Sequence, residues 1–172
     1  MKSVKTLFED AITRIRERGF DTLYVAIDVH GTIIRPSCRT EVWNNEDGKG
    51  HHEVVWGNHV PDFTFYHDAI KALTILSDNP HIKIILWTST QKVRFLIETI
   101  ERLAGIHIDY LNQNPDFQFN AYADFSKKFC FDVLLDDKAG FEPETDWSEI
   151  LKVDFGRLGG ENNGEDREDR ED

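Results

Sequence analysis

The feature that most limits the fold is the run Leu23-Tyr-Val-Ala-Ile27, apolar throughout and ended by Asp28. A strand with one wet face alternates polar and apolar residues, so a continuous run reads as a parallel strand buried on both faces. Lys83-Ile-Ile-Leu-Trp87 is a second buried strand, residues 106–111 and 131–135 are further strand candidates, and residues 152–155 are a last, short one. Amphipathic helices fall between them. Leu7, Phe8, Ala11, Ile12 and Ile15 recur at helical spacing from Val4, with Gly19 where that helix would stop. Residues 62–77 place Ala69, Ile70, Leu73 and Leu76 on one face; residues 91–104 do the same with Val93, Leu96, Ile97, Ile100 and Leu103, capped by Ser89 or Thr90. Strands alternating with helices predict an α/β fold, an open parallel sheet with helices on both faces and its ligand site outside the carboxyl ends of the strands.

Between the first two strands the texture changes. Glu41-Val-Trp43-Asn-Asn45 and His52-Glu-Val-Val-Trp56-Gly57 flank the turn Glu46-Asp-Gly-Lys-Gly50, the pattern of a β-hairpin, so residues of about 35–62 are expected to form a small flap. Trp43 and Trp56 either pack that hairpin across its strands or stack on a substrate ring. His51, His52, His59 and His67 match no helical pair of zinc ligands and have no sulfur ligand beside them, so contacts to substrate fit them better than a zinc site. Arg39 reads as solvated charge, while Arg35 stays open between substrate and solvent.

The 172 residues include 20 Lys and Arg against 32 Asp and Glu, a net charge of −12. Extended nucleic acid is therefore disfavoured, although a local basic pocket can still hold one phosphate. Residues 161–172, ENNGEDREDRED, hold seven acids against two Arg and read as a disordered acidic tail. Residues 1–160 then form a single domain. Cys38 and Cys130 lack Cys-x-x-Cys spacing, charges lace the segment from Met1 to Phe20, and no run is long enough to span a membrane. The expectation is a soluble protein of a reducing, cytoplasmic compartment with no membrane partner.

Sheet logic brings Asp28, His30, Gly31 and Thr32, which follow the first strand, to the same edge as Thr88 after the second and Asp136 and Asp137 after the fourth. Lys127 and Lys128 lie just before that fourth strand. Converging carboxylates repel one another unless a cation sits among them, and hard oxygen ligands suit Mg²⁺, which also takes a phosphate oxygen. A magnesium-dependent phosphoryl site is the natural inference.

In that order, Asp28-Val-His-Gly-Thr32, Thr88 at a strand end, Lys128 and Leu134-Leu-Asp-Asp137 resemble the four motifs of the haloacid dehalogenase-like phosphatase superfamily, across residues 23 to about 141. The resemblance implies a three-layer Rossmann-like sheet of strand order 5-4-1-2-3, with the hairpin flap inserted after the first strand. It implies a phosphomonoesterase in which Asp28 is the nucleophile and forms an aspartyl-phosphate that water hydrolyses. Mg²⁺ would be held by Asp28, the backbone carbonyl of His30 and Asp136, with Asp137 completing the site by orienting a water. Thr88, Ser89 and Lys128, rather than Lys127, would hold the phosphoryl group, together with Gly31 and Thr32 of the loop after the nucleophile, where Gly31 permits a sharp turn.

One residue departs from the pattern. His30 stands where related phosphatases have a second Asp, and its imidazole would serve as acid and then base nearer neutrality than a carboxyl group. The substrate class stays open between a nucleotide or polynucleotide end, a metabolite and a phosphoprotein, since a minimal flap implies a large partner or a pocket completed by homo-oligomerisation. A competing reading is a non-catalytic phosphate- or Mg²⁺-binding module in which His30 marks lost hydrolysis. A signalling receiver domain is set aside on chain order: its acidic pair follows the first strand, whereas Asp136-Asp137 follows the lysines.

Overall fold

The computed structural model describes residues 2–35, 41–44, 50–53, 64–89, 93–114 and 129–159, with the backbone alone for 41–44, 50–53 and 93. Ser3 opens the first helix, its hydroxyl accepting the Thr6 N–H at 3.2 Å. This helix, α1 (Val4–Glu17), buries the stripe Val4, Phe8, Ala11, Ile12 and Ile15, and the chain leaves it through Gly19 at a φ of 73°, a conformation that costs glycine nothing. Then β1 (Leu23–Ile27) enters the molecule, followed by β2 (Glu41–Asn44) and β3 (Gly50–Glu53), which pair antiparallel with Trp43 opposite His51.

The remaining elements are α2 (Ala69–Asp78), β4 (Ile82–Leu86), α3 (Val93–Ala104), β5 (Tyr110–Leu111), β6 (Val133–Leu135) and α4 (Asp146–Ile150). Four strands form one all-parallel sheet in the order β5-β4-β1-β6, a Rossmann-like α/β arrangement, with Ile27 in register with both Leu86 and Leu135. Leu23, Val25, Ile27, Ile82, Ile84, Leu86, Val133 and Leu135 share the main core, as alternation along a strand requires. Against that face α1 touches β1 and β6, α2 touches β4, α3 leans on α2, and α4 wedges against α1 and α2.

Helices were expected on both faces, yet every described helix joins this one core. The handedness of crossovers explains it. From β1 to β4 to β5 the chain steps repeatedly in one direction, and right-handed crossovers then lay α2 and α3 on the same side. The connection that reverses, from β5 back past β1 to β6, includes residues 115–128, which lie outside the described residues. The same reversal makes the carboxyl ends of β1 and β6 the switch point of the sheet, where open α/β sheets bind ligands.

Four expected elements differ. Residues 152–155 are a turn running into a 3-10 helix at Phe155–Arg157, not a fifth strand: the Asp154 carboxylate accepts the Gly156 N–H at 3.1 Å, and Val153 and Phe155 both point into the core. The second helix begins at Ala69 rather than near residue 62, because Tyr66 and Thr64 hydrogen-bond to the backbone of Ile33 and Arg35. The third and fourth strands are shorter than their apolar runs because Asp109 and Asp132 turn their carboxylates onto the neighbouring strand. Asp109 accepts the Ile84 N–H and Asp132 the Tyr24 N–H, each at 2.9 Å. Among the described residues no helix is long and apolar enough to cross a membrane. The acidic segment 161–172 lies outside them.

Asp132 has a testable consequence. Burial pushes its carboxyl above the usual range, against the opposing pull of the Tyr24 N–H and of Arg14 and Arg18. A raised folded-state pKa means stability that is present while the group is protonated and lost as pH rises through that pKa. Asp132→Asn keeps an acceptor for Tyr24 without the charge. Urea unfolding should therefore show the variant gaining on the parent at pH 7 relative to pH 3, and an equal difference at both pH values would contradict this.

Candidate functional site

The hydrogen-bond ladder continues one residue past the strands. Asp28 donates its N–H to Leu135, Trp87 to Ile27 and Asn112 to Leu86, each at 2.9 Å. Asn112, Trp87, Asp28 and Asp136 thereby form a row across the carboxyl edge of the sheet. Beyond Asp28 the chain turns tightly, with the N–H groups of Ile33 and Ile34 both returning to the Val29 carbonyl. Gly31 sits in that turn at a φ of 88°, and a Cβ there would lie 2.8 Å from Oδ2 of Asp137. Glycine is required twice at this position, for its conformation and for the space that the Asp137 carboxylate occupies.

After β6, Asp136 accepts the Lys138 N–H at 2.7 Å and so starts a 3-10 helix, Asp137–Ala139. The Asp137 N–H bonds to the Thr32 hydroxyl at 3.0 Å. Thr32 is fully buried, and its own carbonyl accepts the indole N–H of Trp147 at 2.8 Å, in α4. Two loops far apart in sequence are thus pinned together, and α4 is tied to both.

The outcome is that Asp28, Asp136 and Asp137 each bring a carboxylate oxygen within 4.8 Å of the other two. Like charges that close repel by on the order of 3 kcal/mol per pair in a protein-like dielectric. The ammonium of Lys138, 3.3 Å from Asp137, offsets part of this. Burial, more than these neighbours, pushes the Asp28 carboxyl above its ordinary range, while a hydrogen bond from the Val29 backbone works the other way. A trio of hard anionic oxygens, one half-buried and raised, is a donor set that fits a hard divalent cation such as Mg²⁺. Burial likewise lowers the imidazole of His30, opposed by the Asp28 charge.

Of the residues expected at the site, the structure brings together Asp28, His30, Gly31, Thr32, Asp136 and Asp137. Thr88 closes the same edge, nearly buried, its backbone clasped by Asn112: the Thr88 N–H donates to Oδ1 at 2.8 Å, and its carbonyl accepts from Nδ2 at 2.7 Å. Ser89 follows it, exposed. Thr32, expected to touch substrate, is instead buried behind the loop, and the Gly31 N–H is taken by Ile34 at 2.9 Å, so both act by shaping the site. Lys127 and Lys128 lie outside the described residues, as do Arg39, Trp56, His59 and the side chains of Trp43, His51 and His52. His67 is exposed and pairs with Asp68 at 3.0 Å. Arg35 is exposed, pairs with Glu144 at 2.6 Å and lies 4.5 Å over the Tyr66 ring.

Three participants were not foreseen. Asn112 adopts a φ of 47°, which asparagine tolerates, and the signal was an Asn directly after an apolar run. Lys138 follows the acidic pair immediately, and only the 3-10 turn brings its ammonium back. Trp147 carries no local signal at all, since its partner is 115 residues away.

No family model matches the chain, and no curated protein matches it. A solved structure described as that of "the conserved protein coded by locus from Bacteroides thetaiotaomicron" is similar at 20% identity and a TM-score of 0.45, with 80% of this chain and 98% of that one covered.

Replacing Trp147 by Phe keeps the ring against Phe141 but leaves the buried Thr32 carbonyl without its donor. The variant should lose about 1–3 kcal/mol of unfolding free energy. Denaturant titration of the two proteins measures the difference, and an unchanged midpoint would mean that the indole N–H is dispensable.

Proposed function

We propose that the chain is a haloacid dehalogenase-like phosphomonoesterase that works with Mg²⁺ and an aspartyl-phosphate on Asp28. The observation that carries this is the convergence of Asp28, Asp136 and Asp137 at the switch point of the sheet, next to a nearly buried strand-end threonine. In this reading Asp28, Asp136 and the backbone carbonyl of His30 would hold the cation, with Asp137 orienting a water beside it. When bound, the metal supplies positive charge against the phosphoryl oxygens.

Asp28 attacks phosphorus with one carboxylate oxygen, and the bond from phosphorus to the ester oxygen breaks. His30 gives its proton to the departing alkoxide. Water then attacks the phosphoryl group on Asp28, passing a proton to the now neutral imidazole, and carboxylate and inorganic phosphate are regenerated. Thr88, Ser89 and Lys128 are the proposed phosphoryl ligands, with Gly31, Thr32 and the Asn112 clasp holding their supports in place. The paired segments 41–44 and 50–53 form the flap of this reading, and the family's strand order 5-4-1-2-3 would be represented by the four strands 4-1-2-3.

Release of inorganic phosphate from a panel of small phosphomonoesters tests the proposal. Turnover should require Mg²⁺, vanish with chelator, and fall at least about a thousandfold in Asp28→Asn, which removes the nucleophile. Mg²⁺ binding without turnover of any ester would favour a phosphate- and metal-binding module instead. His30 has its own test. Because its imidazole acts in place of a carboxyl group, the pH-dependent limb of kcat/KM in the parent should lie nearer neutrality than in His30→Asp. Coincident limbs would remove His30 from proton transfer.

A further inference from the structure

We propose that Trp87 is the platform for the alcohol half of the substrate and that this half carries a planar aromatic ring; this rests on the phosphomonoesterase reading above. Trp87 occupies the position beside Asp28 in the row across the sheet edge, its N–H bonded to Ile27 at 2.9 Å. Neighbouring strands lie about 4.8 Å apart, and residues paired across a parallel ladder face the same way. Leu86 before it and Thr88 after it are buried, yet Trp87 is 40% exposed.

The indole is nevertheless held in place. Phe129 stacks on it at a centroid distance of 3.8 Å and an interplanar angle of 24°, and Phe131 packs on Phe129 at 5.0 Å. One side of the ring is thus fixed by an aromatic neighbour while part of it stays in water. A phosphorus atom within bonding reach of Asp28 brings the first atoms of the leaving group next to this surface. A flat aromatic ring gains stacking area on the exposed indole that a short aliphatic alcohol does not offer. Monophosphate esters of nucleosides and of phenols share that chemistry.

Initial rates with Mg²⁺ on adenosine 5′-monophosphate, phenyl phosphate and glycerol 3-phosphate, for the parent, Trp87→Leu and Trp87→Phe, test this. Trp87→Leu should raise KM for an aromatic ester about three- to tenfold at similar kcat, leave glycerol 3-phosphate within about twofold, and be largely rescued by Trp87→Phe. Which aromatic ester suffers identifies the source. Equal loss on all three esters, or loss on none, overturns the platform. Should Trp87→Leu fail to fold, Phe129→Leu removes the backing of the indole and carries the same comparison.

If no ester turns over, the phosphomonoesterase reading fails, and equilibrium dialysis of the same ligands decides the platform separately. Weaker binding of adenosine 5′-monophosphate by Trp87→Leu, with glycerol 3-phosphate unchanged, supports it. Equal binding by parent and variant, or no binding, overturns it.

Discussion

Three carboxylates held within 4.8 Å of one another are the constraint to which the surrounding structure answers. Left alone they would spread apart, and each is instead anchored by its backbone: Asp28 in the ladder to Leu135, Asp136 as the cap of a 3-10 turn, Asp137 through Thr32. Gly31 is absent of side chain where the Asp137 carboxylate needs the room. Repulsion is thereby built into the folded state, and a cation is the group that would relieve it.

The sheet makes this possible through direction alone. Parallel strands put every carboxyl end on one edge, and the reversal after β5 sets β6 beside β1, so that loops about a hundred residues apart meet. A Rossmann-like sheet needs no special pairing of side chains to do this. The specific chemistry then depends on which few residues stand one position past each strand.

Those positions were legible in the sequence because apolar runs ending abruptly in Asp28 or Asp136 mark both the strand and its end. The helix stripe of α1 was legible for the same reason, a period that needs no knowledge of partners, whereas in α3 Leu96 and Ile100 are buried but Leu103, expected on the same face, is exposed. Interactions set by distant partners were not. The Asn112 clasp depends on a left-handed backbone residue, the Arg35–Glu144 pair joins segments 109 residues apart, and Trp147 reaches Thr32 across 115. A last short strand was expected at residues 152–155, and a local carboxylate-to-backbone turn prevailed there. Exposed Trp87 was counted as the end of a strand, while its stacking on Phe129 required the fold to be known.

The Trp147–Thr32–Asp137 connection also bears on how the molecule comes into being. The loop after β1 leaves the ribosome early, but residues that set its geometry belong to the 3-10 turn after β6 and to α4, more than a hundred positions later. A nascent chain can complete α1, β1 and β4 and still possess no assembled site, because closing so long a loop is entropically the most demanding step. Assembly of the acidic cluster and the completion of folding are therefore coupled in time: an unfinished chain carries Asp28 but not Asp136 and Asp137.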